Sequence, residues 1–350
     1  MRKTAIFKDN LFMEHDPGYD HVESPDRLRV IYEMLEKPEL QKLFVFPGAN
    51  PASHDILEMN HTPELVARIA STAGSSFDML DQDTRTSAKS YDAACLAAGS
   101  LVEGVRMLVD GEADNAFALV RPPGHHAEKN QAMGFCLFNN VAIGAHYAIE
   151  HLGLKRVLIV DWDLHHGNGT QHSFYDTDKV LYFSTHQYPY YPGSGAASEI
   201  GAGAGKGFTV NVPLPGGMAD SQYARIFNEI LIPVARQYQP ELILVSAGFD
   251  IAMGDPLGSM NITSEGFAYM AHVLLGLADE LCNGRLLLTL EGGYNLQNQL
   301  KGVLAVLTVL VGRDFLKQET LDLLTNSDTP LTVIDQVQDV LRDYWKFKTT

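Results

Sequence analysis

Three cysteines in 350 residues, Cys95, Cys136 and Cys282, are an odd number with no paired spacing. That excludes a disulfide framework and a Cys-based zinc site, and it points to a reducing compartment, with the cytoplasm as the expectation. No apolar run approaches the roughly 18 residues of a membrane span, so no membrane partner is expected. The opening Met1-Arg-Lys-Thr-Ala-Ile-Phe-Lys-Asp lacks the apolar core of a signal peptide. Basic residues are also scarce, 26 Lys and Arg against 43 Asp and Glu, for a net charge of −17. Phosphate binding needs a basic surface, so nucleic acid is excluded as an expected partner. The same acidity favours a cationic substrate, such as a lysine-bearing peptide or a polyamine.

Hydrophobic residues make up 45% of the chain, enough for a sizeable core, and strand and helix patterns alternate from end to end. There is no internal repeat, low-complexity tract or domain boundary, so residues 1–350 read as one α/β domain. The pattern is organised around Arg156-Val-Leu-Ile-Val-Asp161-Trp-Asp163-Leu-His165-His166-Gly167-Asn168-Gly169. It begins as a β-branched apolar run, the signature of a strand buried on both faces. Within a few residues it turns into acids, imidazoles and glycines. Charges are costly to bury unpaired, so this strand must end at a cleft. Asp161, Asp163 and His165 alternate at a spacing of two, which in an extended chain sends all three side chains to one side. The plainer alternative is an Asp–His pair satisfying itself at a strand end.

The remaining elements follow in order. Thr4–Phe7 reads as a strand, and Ser24-Pro25 as the cap and first residue of a helix. Thr62-Pro63 starts another helix, and Ala93–Val109 is a long one. The segment 81–87 reads as a polar loop that lines a rim. Ala116–Val120 is a strand stopped by Arg121-Pro-Pro-Gly124, with His125 and His126 directly after. Phe138–His151 reads as a crossover helix, and Val180–Thr185 as a strand leading into the aromatic loop that holds Tyr191. The glycine-rich run 201–207 lacks the Ser or Thr and the glycine spacing of a phosphate loop, so it reads as a flexible connection. Leu242–Ser246 is a strand ending in Ala-Gly-Phe-Asp250. A helix over Ser264–Cys282 leads to the strand Leu286–Leu290, which ends in Glu291-Gly-Gly-Tyr294.

Four apolar runs therefore deliver His125 and His126, then Asp161, Asp163 and His165, then Asp250, then Tyr294 at their carboxyl ends. In a parallel sheet these ends share one edge, where ligands bind. Asp163, His165 and Asp250 supply three protein ligands with room for water and substrate, the pattern of a catalytic zinc. His125 and His126 suit proton transfer and charge stabilisation near neutral pH. Asp161 and Asn168 are natural partners to orient them. Tyr294 suits an oxyanion donor. Together these groups describe metal-assisted amide hydrolysis. His166 points away from the cluster, and His15, His21, His54, His61, His146, His151, His172, His186 and His272 read as surface or satisfied core residues. Phe135 and Tyr191 are either core aromatics or walls of a channel.

Arg121-Pro-Pro-Gly-His-His126, Gly134-Phe-Cys136, Asp161–Gln171, Ser246-Ala-Gly-Phe-Asp250 and Glu291-Gly-Gly-Tyr-Asn295 closely resemble the motifs of class II zinc-dependent histone deacetylases. The resemblance runs in order from about residue 15 to 312, leaving a helical segment at 313–350. It implies the arginase–deacetylase fold, an eight-stranded parallel sheet between helices, and hydrolysis of acetyl-lysine to lysine and acetate. It further implies zinc on Asp163, His165 and Asp250, with His126 as general base and acid. His125 becomes its electrostatic partner and Tyr294 the oxyanion donor. Gly134, Phe135 and Tyr191 would flank the substrate methylenes, and Asp83 and Leu257 the rim. A potassium ion is implied at Asp161, Ser184 and the carbonyls of Asp163, His165 and Thr185, and a second near Phe174, Thr177, Val180 and Phe208. Asn168 matches class II, where class I has aspartate, which predicts a less basic His126.

Related families set the alternatives. Binuclear ureohydrolases carry a second Asp-x-Asp, whereas Asp250 is followed by Ile and Ala. Polyamine deacetylases favour an acidic gatekeeper where this chain has Leu257, so acetyl-lysine is preferred over small acetylated amines. A silent acyl-lysine binder would need neither Tyr294 nor the paired histidines. The length of the acyl group, the substrate protein and the oligomeric state are not legible in the sequence.

Overall fold

Strands with no polar alternation are stable only inside a covered sheet, and this chain builds one of eight. The structure, a computed structural model, describes residues 1–347. The sheet strands are β1 (Thr4–Phe7), β2 (Phe44–Val45), β5 (Asn115–Ala118), β6 (Val157–Asp161), β7 (Val180–Gln187), β8 (Thr209–Leu214), β9 (Leu242–Ala247) and β10 (Leu286–Leu290). Their spatial order is β2-β1-β5-β10-β9-β6-β7-β8, and every pairing is parallel. The expected eight-stranded parallel α/β sheet is what forms.

The four strands that carry the polar groups, β5, β10, β9 and β6, are consecutive neighbours at the middle of the sheet. Register locks their ends together: Asp161 lies beside Ser246 on β9, and Ser246 beside Thr289 on β10. All residues of these strands are buried. The helices Ser90–Val109 and Asn140–Glu150 pack on each other and over β5, β6, β9 and β10, while Ser264–Leu281, paired with Leu296–Leu310, packs over β9 and β10. Leu101, Val105, Leu158, Leu244 and Leu288 are among the side chains sealed between the layers. At the β8 edge, the helix Thr332–Leu341 covers the strand, which shields an otherwise exposed row of backbone groups.

The helix start at Thr62 matches its sequence signal, and the crossover helix Asn140–Glu150 has a side-chain cap at Asn139. Thr62 accepts from the backbone N–H of Leu65 at 3.3 Å, and Asn139 from Ala142 at 3.0 Å. Three local readings need correction. The first long helix is Asp26–Leu35, so Pro25 occupies the cap, and Ser24 contributes its backbone carbonyl to Arg27 rather than its hydroxyl. Within the segment 81–87, residues 81–84 are the expected polar loop, with Asp83 at the cavity, but Arg85–Thr86 form a strand, β4, antiparallel to β3 (Asp78–Met79).

The run 201–207 is a close-packed turn, not a flexible connection. Gly207 donates to the Ile200 carbonyl at 2.6 Å, and Ala202 to the Tyr175 carbonyl at 2.7 Å. A Cβ on Gly205 would sit 2.6 Å from that carbonyl oxygen and 2.7 Å from the Thr177 nitrogen. At Gly201 and Gly205 the glycine permits close approach of backbone to backbone. Gly205→Ala should therefore lower stability by about 1–3 kcal/mol, the usual cost of overpacking. Its urea midpoint should fall; an unchanged midpoint would reinstate the flexible reading.

Candidate active site

After β6 the chain leaves the sheet in a series of side-chain-to-backbone turns. Asp161 Oδ1 accepts from the N–H of Asp163 at 3.1 Å, and Asp163 Oδ1 from the N–H of His165 at 2.9 Å. Aspartate forms such local turns readily. Here they aim Asp163 and His165 toward Asp250, which follows β9. One ligating atom from each of the three lies within 4.8 Å of the others, and all three residues are buried. Gly248 and Gly292 leave the room: a Cβ on either would fall against these carboxylates. The Gly292 N–H donates to Asp163 Oδ2 at 2.8 Å, and the Leu164 N–H to Asp250 Oδ1 at 2.9 Å.

Two buried acids at this separation demand positive charge between them. Burial and the Asp163 charge push Asp250 up to about 7. Burial disfavours charge on His165, yet Asp163 and Asp250 outweigh it and raise its imidazole to about 9. Asp250 Oδ2 is buried without a hydrogen bond; it lies 3.2 Å from His165 Nδ1 but not aligned with it. An orphaned carboxylate oxygen facing two more ligating atoms fits a cation. The donor set of two carboxylates and one imidazole, with no thiolate, suits a catalytic divalent metal.

The two histidines differ in their partners although their rings are 4.0 Å apart. His125 Nδ1 is 3.0 Å from Asp161 Oδ2, which also accepts from the Tyr182 hydroxyl at 3.0 Å. Burial opposes protonation of His125, but the charges of Asp163 and Asp161 overcome it and lift its pKa to about 10. His126 Nδ1 instead meets the neutral Asn168, 2.7 Å from Oδ1. Burial, the charge of His125 and that of His165 hold His126 well below the usual imidazole value. One imidazole is thus drawn toward its cationic form and the other toward its neutral form.

A cavity of about 310 Å³ opens above these groups. Its lining includes His125, His126, His165 and Gly292 together with Gly134, Phe135, Tyr191, Tyr294, Leu257 and Asp83. Apart from Gly292, these are sequence-predicted site residues, and they share one space. Tyr191 stands edge-on to His126 at 5.1 Å and Phe135 edge-on to Tyr294 at 6.0 Å, so neither is a plain core aromatic. Phe135 holds a left-handed backbone, φ 68°, directly after Gly134 at φ 57°. A Cβ on Gly134 would come within 2.5 Å of the His126 ring. His166 turns away, to Ser194 and Gln171.

Among the residues of the first cation site implied by resemblance, Asp161 and Ser184 pair across β6 and β7. Ser184 Oγ lies 2.9 Å from His186 Nδ1, and Thr185 Oγ1 is buried without a partner. At the second, the Phe174 carbonyl already accepts from Thr177, and the Phe208 carbonyl from Tyr182. Val180 starts β7 nearby in sequence.

The sequence reading missed the frame beneath the site. Glu291 Oε2 accepts from the N–H of Gly124 at 2.7 Å and of His125 at 3.2 Å, and its Oε1 from Ser246 at 3.0 Å. Arg27 donates to the Gly293 carbonyl at 2.6 Å and to that of Glu291, with its guanidinium 4.9 Å from the Tyr294 ring centroid. Glu23 pairs with both Arg27 and Arg121, at 2.8 and 2.5 Å, and all three are fully buried. Asp255 Oδ2 accepts from the N–H groups of Tyr294 and Asn295 at 2.7 and 3.0 Å. Tyr190 also lines the cavity, its hydroxyl on the Leu257 carbonyl at 3.0 Å. The acids and arginines were visible in the sequence, but nothing local marks which of them pair.

Comparison with known proteins agrees with this architecture. The model of the histone deacetylase domain matches residues 21–310. "Histone deacetylase 5" of Arabidopsis thaliana is 42% identical over 328 residues, 89% of this chain and 49% of that protein. "Polyamine deacetylase HDAC10" of Danio rerio is 39% identical over 344 residues, 94% of this chain and 50% of that protein. The chain thus spans about half the length of these curated relatives. The crystal structure of the HDA15 HD domain superimposes with a TM-score of 0.90 at 38% identity, covering 98% of this chain and 95% of that one. By sequence, sheet order and shared architecture, this chain belongs to the histone deacetylase family.

Proposed function

We propose that the chain is a zinc-dependent deacylase that hydrolyses the side-chain amide of acetyl-lysine in proteins or peptides. The observation that carries this reading is the buried Asp163–His165–Asp250 cluster, with its orphaned oxygen, beneath a cavity walled by His126 and Tyr294. Asp163, His165 and Asp250 would hold the zinc, which supplies Lewis-acid polarisation of the amide carbonyl and activates water. Phe135 and Tyr191 wall the passage that an extended methylene chain would fill. His126, neutral and with its Nε2 not engaged by Asn168, takes the proton of the attacking water. His125, kept cationic by Asp161, stabilises negative charge beside it. Tyr294 donates its hydroxyl to the developing oxyanion. His126 then returns the proton to the departing lysine nitrogen, and acetate and lysine leave.

A structural potassium ion behind the cluster, at Asp161, Ser184 and the carbonyls of Asp163, His165 and Thr185, is part of the proposal and rests on the resemblance. The second site, at Phe174, Thr177, Val180 and Phe208, rests on resemblance alone. Cytoplasmic placement is likewise proposed, on three buried, unpaired thiols. Among the described residues no helix is long and apolar enough to cross a membrane.

Deacetylation of an acetylpolyamine is the second reading, since one relative is named for that activity. Leu257 at the rim disfavours it, because leucine offers nothing to a second ammonium.

Three measurements test these assignments. Tyr294→Phe should lower turnover of an acetyl-lysine peptide by about 10²–10³, the usual cost of one oxyanion donor; undiminished turnover would remove its role. Metal analysis of the purified protein should return one zinc per chain, and a chelator should abolish activity. Two manganese ions would mean a ureohydrolase-like centre instead. Leu257→Glu should raise acetylpolyamine turnover relative to acetyl-lysine roughly tenfold, about 1.4 kcal/mol of charge pairing. A constant ratio across a panel of acetyl-lysine, longer acyl-lysine and acetylpolyamine substrates would show that Leu257 does not select.

A further inference from the structure

His126 does not stop at Asn168. Asn168 Nδ2 lies 2.5 Å from Glu128 Oε1, and the same oxygen lies 2.8 Å from His172 Nδ1. Both backbone polar groups of Glu128 are themselves bonded. Its N–H donates to the Gln131 carbonyl at 2.8 Å, and its carbonyl meets His61 Nδ1 at 2.9 Å. A connected row of polar groups therefore runs from the half-exposed His172 to the buried His126.

Donor and acceptor arithmetic makes this row directional. A carboxylate only accepts, so the group Asn168 shows to Glu128 must be its NH2. The amide oxygen then faces His126 at 2.7 Å. An amide oxygen also only accepts, so His126 must carry its proton on Nδ1. Its Nε2 is left with a lone pair, as a general base requires. Asn168 Nδ2 also reaches the His126 carbonyl at 3.3 Å and the Met133 sulfur at 3.5 Å, both longer contacts than the one to Glu128. Without Glu128 only these weaker contacts oppose turning the amide over to present NH2 to Nδ1. The histidine would then take the opposite tautomer, with its proton on the wrong nitrogen. Where an aspartate would need no such help, having two equivalent oxygens, an asparagine does.

We propose that Glu128 is a positioning residue that sets the tautomer of His126 by fixing the orientation of the Asn168 amide. The inference rests on the deacylase reading for its kinetic consequences, but not for its structural one. Long-range nitrogen–carbon NMR of the histidine rings in the zinc-loaded protein should find His126 protonated on Nδ1. Finding the proton on Nε2 would overturn the proposal without any variant.

Kinetics with an acetyl-lysine peptide supply the second arm. Glu128→Ala should lower kcat roughly tenfold or more, the scale seen when a supporting partner is lost, with KM within about twofold. Glu128→Gln, which keeps an acceptor oxygen, should retain most of the turnover. The double variant E128A/N168A should be no slower than N168A alone, because both substitutions act through one link. Wild-type kcat in E128A, a loss in E128Q equal to that in E128A, or multiplicative losses in the double variant would each overturn the proposal. A wild-type protein inactive on every acylated substrate would instead refute the deacylase reading and leave the NMR result to judge Glu128.

Discussion

Two carboxylates buried within reach of one imidazole are the constraint that the rest of this molecule serves. Desolvating Asp163 and Asp250 together is unfavourable unless positive charge stands among them. The surrounding groups show how that charge is provided and contained. His165 is drawn toward its protonated form by the two acids, and His125 is held cationic by Asp163 and Asp161. His126, beside His125 and His165, is held toward its neutral form. The acid–base asymmetry of two adjacent histidines thus follows from where the negative charges are buried, not from any difference in the histidines themselves.

Holding such a cluster requires a rigid frame, and the frame is also charged. Glu23, Arg27 and Arg121 form a fully buried set; Arg27 ends on the backbone carbonyls of Glu291 and Gly293, under Tyr294, and Arg121 on those of Phe12 and His15. Glu291 gathers the β5 and β10 ends by accepting from Gly124 and His125 while its other oxygen takes Ser246 on β9. One side chain therefore ties three of the four strand ends together. Breaking a buried network of this kind leaves uncompensated charge, which is why it serves better as scaffold than as surface decoration.

Much of this was legible in the chain. The apolar runs before His125, Asp161, Asp250 and Tyr294 were recognisable as buried strands, and the polar residues after them as cleft-lining groups. Motif resemblance supplied their roles. The local errors share one cause. The glycines at 201–207 read as freedom, but Gly205 and Gly207 are excluded from bearing a Cβ by Tyr175 and Tyr344, contacts made by distant segments, and Gly201 by the Gly205 carbonyl as the run folds back on itself. Thr86 and Arg85 read as loop until Asp78 and Met79 arrive to pair with them. Ser24 was a plausible cap, yet the helix begins after Pro25.

By itself the sequence determined the element types, the α/β class and the identities of the metal-ligand candidates, because periodicity and residue chemistry are local properties. Only the tertiary structure decided that β5, β10, β9 and β6 lie side by side, since strand order is set by crossovers and not by any strand's own residues. It also decided which ionisable groups pair. Glu291 reaching Gly124, Arg27 reaching Gly293 and Glu128 reaching Asn168 are contacts across 167, 266 and 40 positions. Charge and hydrogen bonding act through space over a few ångströms, and no spacing along the chain encodes such a distance.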